Sequence, residues 1–315
     1  MKPLNRRKLL QAVSSTWLAI ASGIGASARA AATFDLSPAQ NGRARTGPNA
    51  KAIAQLPPGL RFTEDGVLTV GITVAWPPLS TYATDTKTVV GFDPDLSLLI
   101  ADSLGRKLKL VPLAWEDWPL AVASGKVDAV LSNVTVTDER KEKFDFSSYR
   151  RDVLGFYVPT KSRIQSIRDP KDVAGLRVIT DSGTNQEKIL LNWSKADADH
   201  GLKPVQVQYY DDFTVREVAL QSGRADAILS VNSGLAYAAA LKGDLRLVGT
   251  VSGGWPVTAE IAVVTRKGGG LAAPVTQVLN DLIQSGKYRT ALERWNLTSE
   301  AIDVARTNPP GLPKS

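Results

Sequence analysis

The sequence contains no cysteine, which excludes a disulfide framework, a thiol nucleophile and a lipid-modified cysteine behind an export signal. It contains one histidine, His200, which lies in the polar run Lys195–Gly201 and is expected in a solvated loop. With one histidine and no cysteine, no cluster of metal ligands is visible, and no cofactor is expected. No segment after residue 30 approaches the ~20 apolar residues that a membrane-spanning helix requires. Acidic residues are missing from residues 1–30 and from the run Ala227–Gly243.

The first of these acid-free stretches has the layout of an export signal. Lys2, Arg6, Arg7 and Lys8 form a positive leader, Leu9–Ile24 a moderately apolar core, and Ala28-Arg29-Ala30 a small-x-small cleavage site. Asn5-Arg6-Arg7-Lys8-Leu9-Leu10 is similar to a twin-arginine signal, with Asn5 and Leu9 departing from the usual residues, so the ordinary secretory route stays open. The core is too short and too rich in Ser and Gly to anchor the chain across a bilayer core of about 30 Å. A soluble periplasmic protein, not a lipoprotein, is expected. Residues 1–30 hold five Lys/Arg residues, so the formal charge of +7 falls to +2 without them. The basic balance is therefore a property of the leader and gives no argument for nucleic-acid binding.

Beyond the leader, residues 31–60 are rich in Ala, Pro, Gly and Asn and read as a flexible segment. Strand and helix patterns then alternate. Strands are expected at Val67–Thr73, Leu108–Leu113, Ala129–Leu131, Leu154–Val158, Leu176–Thr180, Val205–Tyr209 and Asp226–Ser230. Helices are expected at Phe92–Leu104, Trp118–Ser124, near Pro170–Ala174, and at Gln186–Ser194, Phe213–Ser222 and Ser233–Leu241. This is the pattern of open α/β sheets with helices on both faces. Ser124-Gly125-Lys126-Val127-Asp128-Ala129 and Ser222-Gly223-Arg224-Ala225-Asp226-Ala227 repeat one plan, a helix end followed by a buried strand. Two similar lobes around a cleft are expected, with ligands at the carboxyl ends of the strands.

The segment Gly125–Ser147 carries the most chemistry. A buried-type strand runs into Ser132-Asn133-Val134-Thr135, and Arg140 follows five residues past Thr135. Asn133 and Thr135 offer short hydrogen-bonding side chains, and Arg140 offers a planar fork that pairs with a carboxylate. Nothing nearby combines a nucleophile with an adjacent base. By itself Arg140 could also be a surface residue paired with Asp138 or Glu142. Asp181-Ser182-Gly183-Thr184-Asn185-Gln186-Glu187 follows a strand and opens a helix, which makes it either an anion seat or an ordinary capped turn. In Gly91-Phe92-Asp93-Pro94-Asp95-Leu96, Asp93 precedes a proline at a helix start and is expected as a helix cap, not as an acid catalyst or a metal ligand.

The run Asp128-Ala129, Ser132, Thr135, Thr137 and Arg140 resembles the carboxylate clamp of the bacterial extracellular solute-binding proteins of family 3, which deliver polar amino acids to ATP-driven importers. The resemblance covers about Leu68 to Leu297. It implies an α/β architecture of the two-lobed, type II periplasmic-binding-protein fold, each lobe an open sheet, with the chain crossing near Tyr149–Asp152 and again near Ala259–Val263. Lobe 1 is then residues 61–150 plus 264–315 and lobe 2 residues 151–263. The closing segment Leu271–Trp295 would return to lobe 1.

The implied ligand-binding residues are Trp76, Trp115, Asn133, Thr135, Arg140, Gly183, Thr184, Asn185 and Asn232. Trp76 would close over the ligand's side chain. Trp115 and Trp118 compete for one wall position. Gly183–Asn185 would grip the carboxylate from the second lobe. The chain departs from the resembling family at Val231, where an Asp usually accepts the ligand's ammonium. Asn232, Glu260 or a Trp face would have to serve instead, or the ligand lacks an ammonium.

The implied function is the substrate-binding component of an ABC importer. The implied partners are an amino acid or related small carboxylate and an inner-membrane permease, with the protein a monomer that binds no nucleic acid. A weaker resemblance, to cyclohexadienyl dehydratase, makes an enzyme of the same fold the alternative. A sensor domain would need a spanning segment or a signalling domain after the binding module, and residues 31–315 show neither.

Overall fold

Alternation of buried strands with amphipathic helices resolves into two separate sheets. The structure, a computed structural model, describes residues 34–74, 77–210 and 212–313, so the leader and Trp76 lie outside the described residues. The strands are β1 (Val67–Ile72), β2 (Thr81–Tyr82), β3 (Val89–Val90), β4 (Lys107–Pro112), β5 (Ala129–Val130), β6 (Phe144–Arg151), β7 (Val153–Pro159), β8 (Arg177–Thr180), β9 (Gln206–Tyr209), β10 (Ala227–Val231), β11 (Leu245–Ser252) and β12 (Glu260–Arg266). One sheet has the order β4-β1-β5-β12-β6 and the other β11-β7-β10-β8-β9, while β2 and β3 pair by themselves. In each sheet three parallel strands, β4-β1-β5 and β9-β8-β10, continue into two antiparallel ones. The two-lobed α/β fold is thus as the sequence implied. The strands β2, β3, β6, β11 and β12 are additions to the expected alternation.

The repeated Gly-x-x-Asp plan has a structural cause in both lobes. Gly125 ends its helix at φ +76°, in the left-handed region that costs glycine little. Asp128 then accepts the backbone N–H groups of Thr63 (2.7 Å) and Thr69 (2.7 Å), locking β5 beside β1. Asp226 does the same in the second lobe, accepting the Arg177 amide at 2.8 Å. Helix Phe92–Ser103 buries Leu96, Leu99 and Ile100 against Leu292 and Trp295, so the closing helices Ala272–Gln284 and Lys287–Arg294 pack in the first core.

The chain passes between the sheets at Asp152 and again through residues 253–259. The two passages are bonded to each other. Asp152 donates its amide to the Ala259 carbonyl (3.0 Å), and Gly253 donates to the Asp152 carbonyl (3.1 Å). A Cβ on Gly253 would lie 1.9 Å from the Asp152 carboxylate, so only glycine lets the second passage run over the first.

Residues 34–60, expected to be flexible, lie instead along the described fold. Asn49 caps the short helix Ala50–Ala54 and donates its amide to the Ser103 carbonyl at 2.7 Å. Arg45 forms a two-bond fork with Asp102 (2.6 and 2.8 Å). The Phe34 ring packs on Trp295 of the first lobe (5.2 Å) and stacks on Tyr237 of the second (5.4 Å). Composition reports weak local order, and it cannot register order supplied by tertiary contacts of this kind. Residues beyond the closing helices run back along β6, where Asn308 donates to the Phe146 carbonyl (2.9 Å). Leu312 then exchanges backbone bonds with Val136 (3.0 Å) and Asp138 (2.8 Å), just ahead of Arg140.

Candidate functional site

The carboxyl ends of the parallel strands converge on one cavity of about 520 Å³. Thr73 follows β1, Ser132 and Asn133 follow β5, Asp181 follows β8, and Ser230 and Val231 end β10; all of them line it. This is where open α/β sheets hold ligands.

Arg140 projects into the cavity from the short helix Asp138–Lys141, whose cap is Thr137: the Thr137 hydroxyl accepts the Arg140 amide at 3.1 Å. The guanidinium donates to the Thr135 carbonyl (2.9 Å) and, across the cleft, to the Gly183 carbonyl (3.4 Å). Two of five donors are used there, leaving capacity for a carboxylate. Burial pushes its pKa down to about 10, against the pull of Asp152 and Glu139, so it remains cationic at neutral pH. The rings of Trp115 and Trp118 each lie 5.7 Å from the guanidinium carbon. Trp115 lines the cavity, whereas Trp118 is buried against Phe144 (5.0 Å).

Thr135 and Asn133 also reach the cavity wall, and each side chain is partly engaged elsewhere. The Thr135 hydroxyl donates to Asp152 at 2.7 Å, tying the Arg140 loop to the first passage between lobes. Asn133 has φ +54°, and its carbonyl oxygen accepts from the buried Arg150. Both therefore also position the loop, while the Asn133 side-chain nitrogen and the acceptor side of the Thr135 hydroxyl are not used in these bonds.

In the second lobe, Thr184 caps the helix Asn185–Asp199, and Thr184, Asn185 and Gln186 line the cavity. Amides in a first helical turn lack intrahelical partners. The Glu187 amide goes to Thr184, while the Asn185 side-chain nitrogen is buried at the cavity wall without a hydrogen-bond partner among the described residues. Gly183 departs from expectation, because its amide is already held by the Glu187 carboxylate at 2.7 Å and only its carbonyl meets Arg140. Asn232 departs too. Its side chain accepts the Tyr157 hydroxyl at 3.1 Å and lies against Gly155, while Val231 and Gly234 on either side line the cavity. Glu260 pairs with Arg306 (2.8 Å) and does not line the cavity.

Sequence reasoning missed four charged wall residues, Asp93, Glu116, Asp181 and Arg216. Asp93 is not a helix cap; Gly91 occupies that position, and Asp93 is 1% exposed and accepts the Tyr149 hydroxyl at 3.0 Å. Burial drives its pKa up to about 6, against the opposing influence of Arg150 and the Tyr149 bond. A carboxyl whose pKa is raised on folding stabilises the fold below its ordinary pKa and loses that contribution as pH rises through the folded value. Asp93→Asn is therefore expected to raise the melting temperature at pH 7.5 by the equivalent of about 3 kcal/mol at most, with a smaller gain at pH 4.5. Thermal unfolding at both pH values checks this, and equal gains would contradict it.

Asp181 and Arg216 stand together on the second lobe. Arg216 bonds Asp181 at 2.5 Å, and Ser230 donates to the second Asp181 oxygen at 3.2 Å. The position of Asp181 behind a strand was a usable signal; nothing local to helix Phe213–Gln221 marks Arg216, which long-range packing brings in. Among the described residues no group of three or more His, Cys, Asp or Glu could hold a metal ion.

The sequence profile of the bacterial extracellular solute-binding proteins, family 3, matches residues 68–298. The L-cystine-binding protein TcyJ of Escherichia coli strain K12 is 30% identical over 237 residues, 75% of this chain and 84% of that protein. Cyclohexadienyl dehydratase of Pseudomonas aeruginosa is 30% identical over 139 residues, 43% of this chain and 52% of that enzyme. Among solved structures, an ancestral arginine-binding protein bound to arginine superposes with a TM-score of 0.63 at 28% identity, over 75% of this chain and 99% of that one.

Proposed function

Since the chain belongs to the bacterial extracellular solute-binding proteins of family 3, we propose that it binds an amino acid or a related small carboxylate in the interlobe cavity and releases it unchanged to an inner-membrane ABC permease. The observation that carries this reading is Arg140: a cationic fork in a cavity between two lobes, bonded to a backbone carbonyl from each. A carboxylate there would satisfy donors that both lobes position, so ligand and closure are coupled. Asn185 would add a donor from the second lobe, and Trp115 a flat apolar wall. The periplasm is the proposed location, on the strength of the leader in residues 1–30 and of a family of extracellular binders. Among the described residues no helix is long and apolar enough to cross a membrane.

One observation favours a second reading, a dehydratase-like enzyme. Asp93 is a cavity carboxyl with a pKa near that of a general acid at neutral pH, about 6. Against it stands the bond from Tyr149, which already occupies one oxygen of the carboxyl. Mass spectrometry of prephenate, arogenate and a panel of amino acids after long incubation with the mature protein separates the two. Every compound is expected back unchanged, and multiple-turnover product from any of them would establish the enzyme.

A further inference from the structure

Beyond Arg140, the cavity wall holds an acid on the opposite lobe whose surroundings suit it to a cationic group. Strands β8 and β10 run parallel in the register Val178↔Ala227 and Ile179↔Ile228. Continuing that register brings Asp181 level with Ser230, one residue before Val231, and the Ser230 hydroxyl bonds the Asp181 carboxylate at 3.2 Å. The acid missing from the end of β10 is thus supplied one strand away. Asp181 is anchored on its other oxygen by Arg216, which is itself tied to the Tyr210 carbonyl at 2.8 Å. Each carboxylate oxygen has two acceptor sites, so both keep one for a ligand. The Asp181 side chain is 28% exposed, and it lines the cavity.

We propose that Asp181 receives the α-ammonium of the ligand while Arg140 holds its carboxylate from the other lobe, so that the cavity selects zwitterionic amino acids over carboxylates without the amine. This rests on the binding role proposed above. The two charges of a zwitterion would each meet an opposite charge, one from each lobe. Arg216 makes the Asp181 site locally neutral, so the site does not repel the ligand carboxylate at a distance but bonds an ammonium at contact. The other wall acids, Asp93 and Glu116, lie on the first lobe with Arg140, and Asp93 is already bonded by Tyr149.

The test is calorimetry on the mature protein with the twenty common L-amino acids and L-cystine, then with the best binder beside the matched carboxylic acid that lacks its α-amine. Wild type is expected to prefer the amino acid by about 10- to 100-fold, the range of a hydrogen bond to a charged group. Asp181→Asn alone leaves Arg216 unpaired, so the double variant Asp181→Asn/Arg216→Gln is measured with it. Both are expected to cut the preference below about threefold, the double variant by weakening the amino acid and sparing its analogue. Asp93→Asn is expected to keep the preference. A preference that survives in the double variant, or that is lost only in Asp93→Asn, overturns the assignment of Asp181 alone. A wild type that binds none of the amino acids overturns the binding role and this inference with it.

Discussion

Arg140→Ala is expected to abolish ligand binding while the protein keeps its fold. The guanidinium is half-buried, charged at neutral pH and, among the described residues, hydrogen-bonded to backbone carbonyls on its two sides. Removing one partner of a desolvated, hydrogen-bonded charge pair costs about 2–5 kcal/mol or more, roughly 30- to several-thousand-fold in dissociation constant. The fold should survive, because the Thr135 and Gly183 carbonyls can turn to cavity water once the side chain is gone. Arg140→Lys keeps the charge but loses the fork and should fall between the two. Calorimetry with the identified ligand and circular dichroism of the variant check both halves. An unchanged dissociation constant would return Arg140 to a structural role.

Glu300→Ala is expected to cost the fold about 3–5 kcal/mol, the usual consequence of stripping one partner from a buried ion pair. Glu300 is 4% exposed and pairs with Arg150, which is fully buried. Arg150 stands at the centre of the site's support. It holds the Asn133 side chain, and its charge opposes the burial-driven rise of both the Asp93 and Asp152 pKa values. Without Glu300 the cation is left to these weaker neighbours, and the turn after β5 loses a fixed anchor. Urea denaturation of wild type, Glu300→Ala and Glu300→Gln measures the loss, with the glutamine variant retaining an acceptor and losing less. A cost below about 1 kcal/mol for the alanine variant would show that Arg150 needs no partner there.

Arg150 also marks where sequence reading stops. Phe144–Arg151 is a strand at the edge of the first sheet, yet Ser147, Ser148 and Arg150 gave it no hydrophobic alternation to recognise. Those polar groups are buried because the tail and the closing helix satisfy them: Ser147 donates to the Ala272 carbonyl, and Ser148 accepts the Arg306 amide. Strands such as β1 and β10 were legible because their apolar runs follow clear helix and turn signals. The same division holds at the site. Arg140, Trp115 and Asn185 lie within local motifs whose chemistry can be read in order along the chain, and all three line the cavity. Asp93 looked like a cap because Pro94 follows it, and only the packing of Tyr149 against it reveals a buried wall acid. The pairing of Asp181 with Arg216 spans 35 positions and has no local signature.

The central claim is that this cavity binds a small carboxylate-bearing solute through Arg140. The most direct test is a thermal-shift screen of the mature protein against amino acids and small carboxylates, run beside Arg140→Ala. A cognate ligand at 100 times its dissociation constant should stabilise the wild type by about 2.7 kcal/mol and leave the variant unshifted. No shift with any of them, or an equal shift in both proteins, would contradict the account.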